Sequence, residues 1–201
     1  MPFVINDANL PAILTAQPMT DEQFTAFCAE HPDLNFEMSA EGELIVMAPT
    51  HSDTGARNSG IGAHLFDWAN KDRLGVVCDS STGFVLPNGA RRSPDASWTL
   101  KSRVQQLGAG RRKAFWHLCP DLVIEVKSDS DRWKPLQQKM LEYMRQGAHL
   151  GWLIDPENKS VEIYRPDGKA EIRADVDKLA GEGPMAGFVL DLTYVWDPLA
   201  D

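Results

Sequence analysis

An acidic and a basic residue lie two positions apart at the end of an apolar segment, Asp-Leu-Val-Ile-Glu-Val-Lys, at residues 121–127. In a β-strand, side chains two positions apart point to the same face, so Glu125 and Lys127 are expected side by side. Burying two charges is costly unless they pair with each other or bind a cation. Because sheet packing does not require such residues, the pair marks a candidate functional site.

A second carboxylate lies upstream, where Asp95 follows Pro94 at the start of a predicted strand, Ser93–Leu100. If this strand pairs near residues 121–127, Asp95 and Glu125 can converge on a divalent cation. Two carboxylates plus water, with substrate phosphate completing the shell, are typical of Mg²⁺. Lys127 could then offset the negative charge that develops in phosphodiester cleavage. The predicted chemistry is hydrolysis that depends on Mg²⁺ or Mn²⁺.

Each of these residues also has an ordinary structural explanation. An aspartate after proline is most often a turn or surface residue, and Glu125 with Lys127 could be a structural ion pair. Other sites are excluded more firmly. The chain has no Gly-x-x-x-x-Gly-Lys-Ser/Thr phosphate-binding motif, and His117 with Cys119 are too few ligands for zinc.

Length and composition indicate a single globular domain spanning residues 1–201, with 43% apolar and 24% charged residues. No run approaches the ~20 apolar residues of a membrane span, and the N-terminus lacks the pattern of a secretory signal. Three widely spaced cysteines fit reduced thiols better than disulfides. We therefore expect a cytoplasmic protein that does not enter membranes.

Basic residues are concentrated between residues 89 and 117, in a chain whose net charge is −9. The acidic total argues against non-specific coating of nucleic acid, but a basic segment in an acidic protein could contact a phosphate backbone. A solvated loop with incidental charge is the equally weighted alternative. The candidate nucleic-acid-binding residues are Arg91, Arg92, Arg111, Arg112 and Lys113.

Local patterns predict a mixed β-sheet with helices on its faces, which is an α/β fold. Thr20 and Gln23 have the spacing of a capping box for a first helix, and Gln105–Gly110 is predicted to be a mobile loop. The predicted helices are 19–30, 52–71 and 134–146, and the predicted strands are 35–38, 43–47, 76–86, 93–100, 121–127, 151–155, 160–164, 170–173 and 187–192.

The pattern Pro-Asp followed by Glu-x-Lys at the end of an apolar strand resembles the PD-(D/E)XK nuclease signature. The surrounding motifs occur in the order seen in the Uma2 family, a bacterial family of restriction-endonuclease-like proteins. The resemblance covers roughly residues 19–175 and leaves 184–201 as a C-terminal extension. The motifs are Phe36-Glu37, Gly42–Pro49, His51, Ser93–Asp95, Pro120–Val126 and Trp152–Pro156.

This resemblance implies a restriction-endonuclease-like fold, with Asp95 and Glu125 as metal ligands and Lys127 as the catalytic lysine. Many relatives carry leucine at the position of Lys127, so the complete set here favours retained activity.

Four accessory residues have two explanations each. Glu37 is a third acid at the metal or a salt-bridge partner within a hairpin. Lys139 and Tyr143 resemble the Gln-x-x-x-Tyr element of some nucleases, with lysine in place of glutamine, although a lysine that extends to the surface is the commoner explanation. His51 caps the helix that follows it or contacts phosphate, and the cap is favoured.

The leading hypothesis is a Mg²⁺-dependent endonuclease that acts on DNA. The alternative is a nuclease fold retained as a binding or assembly module, in which the charges are structural pairs. RNA cleavage is not excluded, because the site chemistry does not depend on the sugar. Many nucleases cut two strands as symmetric pairs, which makes a homodimer a further expectation that no residue here decides.

Overall fold

The computed structural model describes residues 12–15, 19–47, 50–108, 110 and 114–199. Strands and helices alternate along these residues, as the sequence predicts for an α/β protein. The helices are α1 (Asp21–Glu30), α2 (Ser52–Asp72), α3 (Lys101–Gln106), α4 (Trp133–Arg145) and α5 (Thr193–Trp196). The strands are β1 (Ala12–Thr15), β2 (Asn35–Met38), β3 (Glu43–Met47), β4 (Gly75–Asp79), β5 (Phe84–Val85), β6 (Arg91–Arg92), β7 (Ala96–Leu100), β8 (Leu122–Val126), β9 (Leu150–Asp155), β10 (Ser160–Tyr164), β11 (Ala170–Ala174), β12 (Lys178–Ala180) and β13 (Val189–Asp191).

The strands form more than the one sheet that the sequence predicts. The larger sheet has six strands in the order β11-β10-β9-β8-β7-β4, and it is mixed because β8 and β9 run parallel while the other pairs are antiparallel. A five-stranded antiparallel sheet has the order β1-β3-β2-β6-β5. A third sheet pairs β12 with β13.

Helices α2 and α4 contribute to separate apolar cores, and the two faces of β8 belong one to each core. Ile61 and Leu65 lie one turn apart on α2 and are buried in the core that includes Ile124 of β8. Met140 and Tyr143 of α4 are buried in the core that includes Val123 of β8. Strand β8 is therefore buried along its whole length, and any polar residue on it needs a partner.

The five-stranded sheet carries α1 on its apolar face. Phe24 of α1 is buried in one cluster with Phe36, Leu44 and Val46. The capping box predicted at the start of α1 is confirmed: Gln23 N–H donates to Thr20 Oγ1 at 3.3 Å, and Thr20 N–H donates to Gln23 Oε1 at 2.9 Å.

The C-terminal segment packs into the core of the larger sheet. The Phe188 ring stacks on Trp152 of β9, with 5.7 Å between ring centroids. Leu190 and Val195 are buried in the same core as α2. Residues 184–199 thus contribute to the interior of the fold.

Two further sequence predictions, which concern a loop at Gln105–Gly110 and membrane spans, can be compared with the described residues. Gln105 and Gln106 end helix α3, where the sequence predicts a loop over Gln105–Gly110. No helix in the described ranges has the length and apolar character that a membrane span requires.

Candidate functional site

Strand pairing brings the two predicted metal ligands to one edge of the larger sheet. Ala96 of β7 lies opposite Ile124 of β8 in an antiparallel pair, so the next position along this register sets Asp95 opposite Glu125. Asp95 Oδ2 accepts a hydrogen bond of 2.8 Å from the backbone N–H of Val126. The structure therefore places both carboxylates together, although they are 30 residues apart in the chain.

Glu125 is 4% exposed and is held from the α4 side of the sheet. Lys139 Nζ lies 2.8 Å from Glu125 Oε1, and the Tyr143 hydroxyl donates to the same oxygen at 3.1 Å. Both residues are one turn apart on α4, as their spacing predicts. The Lys139-x-x-x-Tyr143 element thus faces the carboxylates, and the Lys139 side chain is largely buried there rather than extended to the surface.

Lys139 also joins Glu125 to Glu37 of the other sheet. Its Nζ lies 2.8 Å from Glu37 Oε1, so one ammonium bridges two carboxylates. Glu37 is 2% exposed and also accepts from the Ser93 backbone N–H at 2.8 Å and from Arg92 Nη1 at 3.2 Å. In this structure Glu37 is a buried ion-pair partner, the second of its two sequence explanations.

The protonation preferences of the three carboxyls differ because their neighbours differ. Burial raises the pKa of Glu125 to about 8, against the opposing effect of Lys139 and with the help of nearby Asp95 and Glu37. Burial likewise raises the pKa of Asp95. For Glu37, burial acts to raise the pKa, but the charges of Lys139 and Arg92 outweigh it and lower the pKa. The cluster therefore combines one acid with a lowered pKa, Glu37, with two acids whose pKa is raised, Glu125 and Asp95.

Asn58 of α2 belongs to the site although no sequence pattern indicated it. Its Nδ2 donates to Asp95 Oδ1 at 2.7 Å, so both oxygens of Asp95 are held in place. The Asn58 Oδ1 atom is buried and lacks a hydrogen-bond partner within the described residues. A buried acceptor left in this way is unusual and indicates that a donor or a cation belongs beside it.

Lys127, predicted to be the catalytic lysine, lies beside the carboxylates but makes its ion pair elsewhere. Its Nζ is 3.5 Å from Glu157 Oε2, a partner whose side chain is 75% exposed. Lys127 follows the last residue of β8, where the strict alternation of strand side chains ends, and Lys139 already provides the counter-charge of Glu125. The expectation that the ammonium of Lys127 is held next to Glu125 is thus not met in this structure.

Lys127, two residues after Glu125, lines a polar cavity of about 530 Å³ that neither Asp95 nor Glu125 lines. The N-terminal turns of α2 form its other wall, which also holds Arg57, the neighbour of Asn58. His51 is the N-cap residue of α2, but its side chain makes no capping hydrogen bond, contrary to the favoured explanation. The lining residues are His51, Ser52, Asp53, Thr54, Arg57, Lys127, Asp129, Pro156, Glu157 and Trp196.

Arg91 and Arg92 do not form the exposed basic surface that their clustering suggested. Both are buried in β6. Arg91 donates to Asp21 Oδ1 at 2.9 Å, and Arg92 Nε donates to Glu142 Oε2 at 2.6 Å. Their charges are used inside the protein because a buried guanidinium requires acidic partners. As nucleic-acid-binding residues they are therefore corrected to structural ion-pair partners.

The other three predicted nucleic-acid-binding residues, Arg111, Arg112 and Lys113, lie outside the described residues. Arg103, from the same basic segment, pairs with the buried Asp121 at 2.8 Å.

The donor set at the two carboxylates fits a divalent cation of the magnesium type. Asp95 and Glu125 offer hard oxygen ligands, and Glu125 Oε2 accepts no hydrogen bond from the described part of the chain. The unpartnered Asn58 Oδ1 belongs to the same amide group that donates to Asp95 Oδ1. No cluster of three or more histidine, cysteine or acidic side chains suited to a metal occurs among the described residues, so water and substrate would complete the shell.

Comparison with known proteins agrees with the motifs in the sequence. Residues 21–193 match the model of the Uma2 family, described as "Putative restriction endonuclease", which extends the match beyond residue 175. The fold resembles the crystal structure of a "putative nuclease belonging to DUF820" from Anabaena variabilis, with a TM-score of 0.72 and 19% identity over 91% of this chain and 100% of that one. No curated protein matches the sequence. The predicted restriction-endonuclease-like α/β fold is thereby confirmed.

Proposed function

This chain belongs to the Uma2 family, and we propose that it is a divalent-cation-dependent endonuclease that hydrolyses phosphodiester bonds of DNA. The observation that carries this proposal is the pair of opposing carboxylates, Asp95 and Glu125. A polar cavity of about 530 Å³ is lined by Lys127, two residues after Glu125, and by Arg57, next to Asn58 in the chain. Nuclease-type hydrolysis needs these elements together: hard oxygen ligands, a nearby cation and room for a phosphate.

The chain's own residues prepare the site before any ligand binds. Asn58 and the Val126 N–H fix the Asp95 carboxylate, and Tyr143 with Lys139 fixes one oxygen of Glu125 while leaving the other available. When bound, Mg²⁺ or Mn²⁺ would supply Lewis-acid activation of the phosphate and of water.

Lys127 is assigned to the phosphate rather than to Glu125. Its present partner, Glu157, is exposed, and exposed ion pairs contribute only about 0–1 kcal/mol. The ammonium can therefore leave Glu157 at little cost and neutralise a phosphate that enters the cavity. Lys139 cannot take this role while it bridges two buried carboxylates.

The direct test is conversion of supercoiled plasmid to nicked or linear DNA in the presence of Mg²⁺ or Mn²⁺. We expect cleavage by the wild-type chain, none by Asp95→Asn or Glu125→Gln, and a large loss for Lys127→Met. Lys134→Met is the matched control, because Lys134 is an exposed lysine on α4 and should leave the rate unchanged. Intact DNA under conditions where the cation binds at Asp95 and Glu125 would contradict the proposal. Cleavage of RNA but not of DNA would mean that the substrate is RNA.

A second candidate function is a binding or assembly module built on the nuclease fold. The observation that favours it is that Lys139, Arg92 and Tyr143 already contact three of the four carboxylate oxygens of Glu37 and Glu125. Thermal melting separates the two functions, since a ligand that binds only the folded chain raises its Tm by mass action. A Mn²⁺-induced rise that disappears in Asp95→Asn supports the metal site, whereas a rise that persists in this variant comes from diffuse binding to an acidic protein.

A further inference from the structure

We propose that the site binds one divalent cation and not two, because the Lys139 ammonium stands where a second ion would lie between Glu37 and Glu125. This inference rests on the proposed metal-dependent function and deepens it. Sites with two metal ions place them about 3.5–4 Å apart and bridge them with carboxylates. The present cluster has enough carboxylates for two ions, but the Lys139 ammonium takes the place of the second ion.

Both oxygens of the Glu37 carboxylate already have positively charged partners. Its Oε1 lies 2.8 Å from Lys139 Nζ and accepts from the Ser93 N–H at 2.8 Å, while its Oε2 is 3.2 Å from Arg92 Nη1. Two positive side chains thus compensate one acid that is 2% exposed. Glu37, the third acid that the family resemblance suggested as a metal ligand, is therefore held by positively charged side chains inside the protein.

The two oxygens of Glu125 face different cations. Oε1 lies 2.8 Å from Lys139 Nζ and 3.1 Å from the Tyr143 hydroxyl, whereas Oε2 has no partner in the described residues. Asp95 and the unpartnered Asn58 Oδ1 lie towards β7 and α2. The oxygens without a hydrogen-bond partner in the described residues are Glu125 Oε2 and Asn58 Oδ1, and we assign the single ion to these two atoms and to Asp95.

Lys139 is held in this position strongly enough to replace an ion. Its side chain is 12% exposed, and its Nζ lies 5.9 Å from the centroid of the Tyr143 ring. Withdrawing the ammonium would leave two buried carboxylates without their shared counter-charge, which is strongly unfavourable. A dissolved cation does not displace it without that cost.

The test is the number of Mn²⁺ ions bound per chain, measured by calorimetric titration and by the electron paramagnetic resonance signal of free Mn²⁺. The full-length chain is expected to bind one ion at the site, defined as the part lost in Asp95→Asn. Lys139→Met matches the side-chain length without its charge and is expected to bind two, the second more weakly. Glu37→Gln combined with Lys139→Met should return the number to one, and the Lys134→Met control should keep it at one.

The outcomes separate this inference from the proposed function. Two ions in the wild-type chain, or one ion in both the wild type and a folded Lys139→Met, would overturn the single-ion inference and leave the metal-dependent function standing. No ion in either chain would overturn the proposed function itself. An ion that binds Lys139→Met but not the wild type would also overturn the inference, because Lys139 would then exclude the metal altogether. If Lys139→Met fails to fold, Lys139→Gln provides the same comparison, because it removes the charge and its amide can still donate to a buried carboxylate.

Discussion

At the scale of single residues, the candidate site shows that the neighbours of a buried glutamate determine whether its pKa is raised or lowered. Glu37 and Glu125 are both buried glutamates within reach of one lysine, yet the pKa of Glu37 is lowered and that of Glu125 is raised to about 8. Arg92 makes the difference, because it adds a second positive charge to Glu37 only. Glu37 therefore stays ionised as a structural anion, while Glu125 remains responsive to a proton or a metal ion.

Asn58→Ala tests whether the unpartnered amide oxygen serves a bound cation. The change removes the hydrogen bond to Asp95 and the buried acceptor beside it. Loss of such a supporting group typically weakens metal affinity about 10–100-fold. We expect a loss in that range for Mn²⁺ in calorimetric titrations. Asn70→Ala on the exposed face of the same helix is the control, and equal affinity in both variants would show that Asn58 has no part in binding.

The sequence pointed to Asp95 and Glu125 because their local setting is unusual, whereas it could not show which lysine contacts Glu125. Lys127 is near Glu125 in the chain, but Lys139 reaches it because α4 packs across the sheet. Such a contact depends on the crossing of a helix over a strand, which no local pattern encodes. The same reason hides Asn58, which approaches Asp95 only when α2 docks.

At the scale of elements, segments with strong local signals were predicted almost to the residue. The capping box of α1 and the hairpin of β2 and β3 are examples, because their hydrogen bonds are made by near neighbours. Strands β1 and β12 were missed because each is at most four residues long and gains stability only from its partner strand. Helix α3 was missed because the glycines that follow it suggested a loop.

Two glycines should respond to alanine in opposite directions. A Cβ at Gly75 of β4 would lie 1.9 Å from Trp98 Cε2, and Trp98 is fully buried, so Gly75→Ala should destabilise the chain by about 1–3 kcal/mol. A Cβ at Gly62 of α2 would meet nothing within 4 Å. Gly62→Ala should therefore stabilise the chain by up to about 1 kcal/mol through helix propensity. Urea unfolding measures both, and a neutral Gly75→Ala would show that the tryptophan can move aside.

The attachment of α1 to the rest of the protein is predicted to depend on pH. Burial acts to raise the pKa of Asp21, but hydrogen bonds from His117 and Arg91 outweigh it and lower the pKa. The stabilisation is therefore complete above the ordinary value of 3.8 and is lost as the pH falls through the lower value of the folded state.

Asp21→Asn should accordingly cost about 1 kcal/mol at neutral pH, and the difference from wild type should shrink as the pH falls below 3.8. Urea unfolding at neutral pH and at acidic pH below 3.8 checks this. Glu30→Gln is the matched control, since it removes an exposed charge from the same helix that makes no ion pair within the described part of the chain. A difference that stays constant with pH would contradict the assignment.

At the scale of the whole molecule, three arginines of the basic segment stabilise the fold through ion pairs. Of its seven basic residues, Arg91, Arg92 and Arg103 each pair with an acid from a distant part of the chain. The surface that a nucleic acid would contact therefore depends on the cavity beside Lys127 and not on these arginines. A net charge of −9 makes such binding sensitive to salt and dependent on a cation at the carboxylates.

Arg92 joins the two large sheets, and its replacement tests whether they unfold as one unit. Its guanidinium binds Glu37 of the five-stranded sheet and Glu142 of α4, which packs on the six-stranded sheet. Lysine keeps the charge, but its single nitrogen cannot occupy both positions from which Arg92 Nε and Nη1 contact Glu142 and Glu37. Arg92→Lys should therefore leave one buried acid poorly compensated and cost about 3 kcal/mol, within the range for broken buried pairs.

Urea unfolding followed by circular dichroism and by tryptophan fluorescence provides the measurement. In the wild type the two transitions should coincide, because the cluster around Arg92 couples the sheets. In Arg92→Lys the midpoint should fall, and the two transitions should separate if the five-stranded sheet opens first. Arg145→Lys, at the exposed end of α4, should change neither. Equal stability of Arg92→Lys and wild type would mean that apolar packing alone holds the sheets together, and Glu37 would then have to find its counter-charge in Lys139.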